Sequence, residues 1–376
     1  MTTRLLTASD YPSLIQALDG AERLYVDTEF HPEHRYLPRL YVLQVAPETG
    51  PVWLIDCADL TPLGQLTDAL CSAEWVVHGG SQDIALLSDA LGRVPERIWD
   101  TQILAGLVTA DYPRRFSDLV SQWTGDAVDK GATLTNWKRR PLSPEQLAYA
   151  QADVISLRPL ARTLLAEVDR TERRGIAAAA CDQARDTALR GPDPDDVWRR
   201  LQAARALTHE QASVLRELAA WREGEAKDRN QPPRQVLHDG LMLELARNPP
   251  SDVAALGSNR RVPKRIATTH GPDIVSRAAE GLRRAVSDPP RLVRKFSPEE
   301  LTLTWLDAAC RIVASQQAWS VDLVLPRSLQ WDLVLADRAQ IPARLGWRTD
   351  LLGDLVSRAL HGSLSLQRTS SGWKTE

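Results

Sequence analysis

Leu24-Tyr25-Val26-Asp27-Thr28-Glu29-Phe30 is the stretch on which the fold is read. Leu24 to Val26 is a short apolar, β-favouring run, so the chain enters the acidic pair as a strand. Side chains two apart on a strand share a face, so Asp27 and Glu29 project together and Thr28 points the other way. Two carboxylates held side by side repel each other and lose hydration, which costs stability unless a cation lies between them. An exposed edge strand whose acids face water would carry the same letters, so Asp-x-Glu alone does not decide between the two.

Working outward, Tyr41-Val42-Leu43 with Val45, and Val52-Trp53-Leu54-Ile55, read as two further strands, separated by turns at Pro38, Pro47, Gly50 and Pro51. Leu63–Leu70 reads as a helix, Trp75-Val76-Val77 as a strand, and Ser81–Leu91 as a helix ending at Gly92. Strands first, then strand and helix alternating, predict a mixed sheet with helices on its faces. A long helix opens at Ser143, a good N-cap, with Pro144 at its first position and Gln146 completing a capping box. It is expected to run to about Arg158, where Pro159 breaks or kinks it. Gly191-Pro192-Asp193-Pro194-Asp195-Asp196 is the strongest linker signal. Beyond it the pattern is helical, with Thr208 and Gln211 forming a second capping box, a boundary at Asp288-Pro289-Pro290, and a new helix start at Ser297-Pro298-Glu299-Glu300. Two small all-helical units follow from this, roughly 198–286 and 296–373.

The chain has 376 residues, 43% hydrophobic and 25% charged, an ordinary globular balance. No apolar run reaches the roughly 18–20 residues of a spanning helix, and the opening residues are too polar for a signal peptide. A cytoplasmic location with no membrane association is the expectation. Cys57, Cys71, Cys181 and Cys310 are scattered, and no H-E-x-x-H occurs, so neither a disulfide framework nor a zinc site is expected. Charge is segregated. Residues 1–165 carry 14 basic and 21 acidic side chains, net −7, while residues 197–295 carry 19 and 11, net +8. The basic quarter suits a polyanion, whereas the acidic front half does not unless cations neutralise it.

Two further stretches place polar groups beside the first pair. In Val76-Val77-His78-Gly79-Gly80-Ser81-Gln82-Asp83 a strand ends in glycines and Asp83 falls in the first turn of the next helix. The helix dipole favours an acid there in any protein. In Tyr149-Ala150-Gln151-Ala152-Asp153 a phenol and a carboxylate four apart share one helix face. Each alone is as well explained by structure, and Tyr149 by itself would pass for a core aromatic.

In this order the three stretches resemble the tyrosine-bearing branch of the DEDD 3′–5′ exonuclease superfamily. Trp99-Asp100-Thr101-Gln102 and the run Leu134-Thr135-Asn136-Trp137-Lys138-Arg139-Arg140-Pro141-Leu142-Ser143 are similar to the ribonuclease D group within it. Leu215 to Glu223, followed by Ala226, Asn230, Pro232-Pro233, Asp239 and Pro249, resembles a helicase-and-RNase-D C-terminal (HRDC) domain. Gly346-Trp347-Arg348 looks like part of a more divergent second one. The resemblance implies an α/β ribonuclease-H-like exonuclease domain at 1–190, an HRDC domain at 198–286 and a second HRDC-like helical domain at 296–373. It also implies two divalent cations, Mg²⁺ or Mn²⁺, on Asp27, Glu29, Asp83 and Asp153. In that scheme Asp27 bridges both ions, Glu29 and Asp153 complete the site for the attacking water, Asp83 holds the second ion directly or through water, and Tyr149 orients the water. Phe30 would stack on the terminal base, or pack beneath the sheet. The implied reaction removes nucleotides singly from an RNA 3′ end as 5′-monophosphates, with transfer-RNA precursors and other structured RNAs as substrates and a monomer as the working form. His78 and Gln102 sit beside these motifs with no role assigned. A 3′–5′ DNA exonuclease would share the carboxylate core, and a catalytically silent nucleic-acid scaffold would be marked by a lost acid. All five polar positions are present.

Overall fold

A computed structural model of the chain describes residues 4–58, 63–126, 135–201, 207–284, 297–370 and 372–375. Leu134 and the expected boundary at 288–290 lie outside the described residues. Six strands form one sheet: β1 (Leu5–Leu6), β2 (Arg23–His31), β3 (Arg39–Pro47), β4 (Trp53–Asp56), β5 (Glu74–Val77) and β6 (Ile98–Asp100). Their spatial order is β1-β4-β3-β2-β5-β6. β2, β5 and β6 run parallel to one another, as β1 does to β4, and β3 is antiparallel to β4. The sheet is therefore mixed and flanked by helices, as the pattern predicts.

Alternation along β2 and β5 sorts the core into two faces. Leu24, Val26, Trp75 and Val77 pack with Ile84 and Leu87 of the Ser81–Leu91 helix. Tyr25 and Val76 pack on the other side with Val154, Leu157, Leu160 and Leu164 of the Pro144–Arg170 helix. Period-two side-chain placement then fixes where the acids at the strand end must go. Odd positions of β2 face the long helix and even positions face the Ser81 helix.

The long helix starts as expected. The Ser143 hydroxyl accepts from the Gln146 N–H, and the Gln146 side chain accepts from the Ser143 N–H. It does not stop at Pro159 but continues to Arg170. Proline removes the donor for the Ile155 carbonyl, on a turn of the helix where Ile155 itself is 52% exposed. A tightly packed apolar stripe on the opposite side holds the helix together through the lost bond.

The chain divides into two compact units. One comprises Met1–His31, Leu40–Leu189 and Arg294–Glu376, the other Pro32–Arg39 and Arg190–Val293. In the first, the C-terminal helices join the sheet's own core: Leu306, Ala309, Trp319 and Leu323 belong to the same apolar cluster as Tyr25 and Leu157. Ser320 N–H donates to the Gly106 carbonyl at 2.7 Å. A Cβ on Gly106 would lie 2.7 Å from Leu323 Cδ2 and 2.9 Å from Tyr112 Cδ2, so glycine is what lets the two segments meet. A short antiparallel hairpin, Leu366–Thr369 with Gly372–Thr375, ends this unit, where the sequence pattern predicts only helices.

The second unit is helical and has its own core of Trp198, Val214, Leu218, Met242 and Ile274. Its two longest helices are His209–Asp228 and Lys264–Arg283. They approach so closely that a Cβ on Gly281 would fall 2.5 Å from Val214 Cα. The segment Pro32–Arg39 belongs to this unit: the Tyr36 hydroxyl donates to Glu223 at 2.7 Å and its N–H to Asn230 Oδ1 at 3.2 Å. No helix among the described residues is long and apolar enough to cross a membrane.

Candidate metal centre and active site

Asp27 and Glu29 stand on the odd face of β2, at the end where the strand leaves the core. Asp153 stands on the helix that covers this face. One carboxylate oxygen from each of the three lies within 4.8 Å of the others. They line a cavity of about 250 Å³ together with Thr28, Tyr149, His78, Phe116 and Leu157. One wall is thus acidic and the other is apolar and aromatic.

Tyr149 sits one helical turn before Asp153, and its hydroxyl hydrogen bond to Asp153 draws that acid's pKa down. Burial outweighs it and leaves Asp153 at about 6. Glu29 is pushed up to about 8, by burial first and then by the charges of Asp153 and Asp83, although Gln44 donates to it at 3.4 Å. Asp27 is raised well above the ordinary aspartate range, by burial and then by Asp83, Asp153 and Glu29. Crowded, desolvated acids without counter-charge are the physical signature of a site shaped for a cation. All the donors are oxygens, a set that suits Mg²⁺ or Mn²⁺. The residues present therefore fit a divalent ion.

Asp83 is near but differently placed. It lies on the even-face helix and is 8% exposed, and the hydroxyl of Thr28, which points to that face, donates to it. Burial raises it to about 6 against the lowering bond from Thr28. Of the five expected positions, the structure brings four to the cavity and places Asp83 behind it, close enough to act on Asp27 and Glu29 by charge. Phe30 follows Glu29 on β2 and is half-buried, outside the residues that line the cavity.

The Trp99–Gln102 motif does not line the cavity but holds the segments beside it. Asp100 accepts from the N–H groups of Gly79 and Gly80 at 2.8 and 3.1 Å, which pins the turn leading to Asp83. Gly79 has φ +59°, and a side chain there would be strained. Thr101 Oγ1 is 3.0 Å from His78 Nδ1, and Gln102 donates to the Arg114 carbonyl at 3.2 Å. Phe116, two residues on, packs against the His78 ring with centroids 5.2 Å apart. The sequence offers His78 and Gln102 without a role and gives no sign of Phe116. Nothing local marks Phe116, which lines the cavity beside His78, two residues after the Arg114 carbonyl that Gln102 holds.

Residues 5–169 match the family model for 3′–5′ exonuclease and residues 211–277 that for the HRDC domain. The chain is 32% identical over 370 residues to the protein named Ribonuclease D of Gluconacetobacter diazotrophicus, covering 93% of this chain and 90% of that one. It is 30% identical over 379 residues to the Ribonuclease D of Granulibacter bethesdensis, covering 97% and 94%. The crystal structure of Escherichia coli RNase D, described as an exoribonuclease involved in structured RNA processing, matches with a TM-score of 0.81. That match covers 96% of this chain and 99% of that one, at 24% identity, and speaks for the shared fold.

Proposed function

The chain belongs to the ribonuclease D family, and from that premise we propose how this 3′–5′ exoribonuclease works and on what. Its substrates are RNA 3′ ends, those of transfer-RNA precursors among them, and its products are nucleoside 5′-monophosphates released one at a time. It acts as a monomer in the cytoplasm. The observation that carries the reading is the convergence of Asp27, Glu29 and Asp153, three desolvated acids from a strand and a helix, with one oxygen of each within 4.8 Å of the others.

Asp27, Glu29 and Asp153 would hold two divalent ions, with Asp83 contributing from behind Thr28. When bound, such a pair supplies Lewis-acid stabilisation of the attacking and leaving oxygens at phosphorus. The chain's own groups do the rest. Tyr149, anchored through its hydroxyl to Asp153, orients the attacking water; with a reference pKa near ~10 a tyrosine is a positioning group rather than a base at neutral pH. The aromatic wall keeps the reacting phosphate beside the acids and excludes bulk water. Phe30, next to Glu29 on β2 but outside the cavity lining, would stack on the terminal base. The 197–295 segment, net +8, supplies the positive charge that holds the body of the RNA through its phosphates.

The test is product analysis on matched single-stranded RNA and DNA, each labelled at its 5′ end, with and without Mg²⁺ or Mn²⁺. A ladder shortening by single nucleotides, faster on RNA and absent with chelator, is expected. Faster shortening of DNA would move the assignment to a DNA exonuclease, and no shortening of either would leave a binding scaffold.

A further inference from the structure

The stretch Thr135–Ser143 has no task in the mechanism above, yet it is held unusually firmly. Trp137 is 4% exposed and lies in a small apolar cluster with Tyr41, Val42, Leu54 and Ala150. Its ring centroid is 6.2 Å from that of Tyr149, with the planes tilted by 41°. The backbone of this turn is fixed by Arg140. That guanidinium turns inward while Lys138 and Arg139 stay exposed. Its Nε and Nη2 donate to the two carboxylate oxygens of Asp56 at 2.8 and 2.5 Å. Nη2 also reaches the Tyr41 carbonyl at 3.0 Å, and Nη1 the Trp137 carbonyl at 2.7 Å. From the other side, Gln146 donates to Thr135 Oγ1 at 3.0 Å and to the Asn136 carbonyl at 3.3 Å. The turn is thereby tied to β3, to β4 and to the first turn of the helix that carries Tyr149.

We propose that Asp56, Arg140 and Trp137 form a positioning device for Tyr149. The hydrogen bond to Asp153 restrains the Tyr149 hydroxyl but does not by itself stop the ring from swinging about its side-chain torsions. Trp137, unable to retreat while Arg140 holds its carbonyl, limits that swing and keeps the hydroxyl over the cavity. None of the three residues lines the cavity, so none is a catalytic residue. This inference rests on the reading that Tyr149 orients the attacking water. Misplacement by about 1 Å of a group that aligns reactants can lower a rate by as much as about 10²-fold.

Arg140→Lys keeps the charge but cannot make the planar two-pronged contact with Asp56. Trp137→Phe keeps an aromatic ring of smaller size. Each is combined with Tyr149→Phe, and single-turnover rate, KM for a short single-stranded RNA and melting temperature are measured on the same preparations. Either substitution alone should lower the rate by about 10-fold with KM within about twofold of wild type. In the Tyr149→Phe background neither should lower it further. A loss that recurs in full in that background, a loss confined to KM, or an unchanged rate would overturn the proposal; the second would make the turn an RNA-binding element. If Arg140→Lys melts below the assay temperature, Trp137→Phe completes the same cycle. Failure of the underlying reading shows separately, as a wild-type rate in Tyr149→Phe alone, and takes this inference with it.

Discussion

Removing the charge of Glu29 should stabilise the metal-free protein, and by an amount that depends on pH in a defined direction. Its carboxyl is raised from an ordinary 4.5 to about 8 by burial and by Asp153 and Asp83. The folded state therefore holds a proton there that the unfolded chain releases. The stability this gives is complete below pH ~4.5, falls as pH rises, and is gone once pH passes the folded value near 8. Each pKa unit is worth ~1.4 kcal/mol, so the loss across this window is roughly 5 kcal/mol. Glu29→Gln keeps the shape and the Gln44 neighbour while removing the titration. Urea unfolding of both proteins in chelator, from pH 5 to pH 8.5, measures the difference. The two should be nearly equal at pH 5, and the Gln variant should be more stable by several kcal/mol at pH 8.5. Saturating Mn²⁺ should reverse the order, because the ion binds the charged site of the wild type. A Gln variant of equal or lower stability at pH 8.5 without metal would show that the acids are not crowded and desolvated as described.

Four further outcomes are expected. Asp153→Asn should abolish metal-dependent RNA hydrolysis with the melting temperature unchanged or higher in chelator, as read by single-turnover kinetics and thermal melting. Tyr149→Phe should lower the single-turnover rate by on the order of 10²-fold with little change in RNA affinity, and a rate within twofold of wild type would remove the tyrosine from the mechanism. Gly106→Ala places a Cβ 2.7 Å from Leu323 and should cost about 1–3 kcal/mol in urea unfolding, because the C-terminal helices share a core with the sheet. Replacing exposed Arg260, Lys264 and Arg265 by Gln should flatten the salt dependence of RNA binding by ~0.7 in slope for each phosphate no longer neutralised, and an unchanged slope would show that this surface does not touch phosphate.

The parts legible in the sequence are those set by short-range periodicity. Period-two alternation puts Asp27 and Glu29 on one face, and period 3.6 with a capping box puts Tyr149 and Asp153 on another. The structure joins the two faces because Tyr25 and Leu157 belong to one core. Asp83 shows where this reasoning stops: its place behind the cavity depends on Thr28 facing the even side of β2 and on a turn pinned by Asp100, both long-range facts. Pro159 reads locally as a break or kink; the helix runs on past it to Arg170, with Leu157, Leu160, Ala161 and Leu164 packed into the core on its buried side. The C-terminal helices read as a unit of their own. Their caps are local and legible, whereas their partner in the core is more than a hundred residues away. The joining of Pro32–Arg39 to the helical unit through Tyr36 and Glu223 has no sequence signal at all.

The central claim is that Asp27, Glu29 and Asp153 form a metal centre on which RNA hydrolysis depends. Calorimetric titration of Mn²⁺ into wild type and Asp27→Asn at pH 7 tests it most directly. Wild type should bind two ions and release protons as it does so, since the site's raised acids must give them up. Asp27→Asn should lose both ions from the measurable range while melting at or above the wild-type temperature in chelator. Undiminished two-ion binding by a folded Asp27→Asn protein would contradict the account.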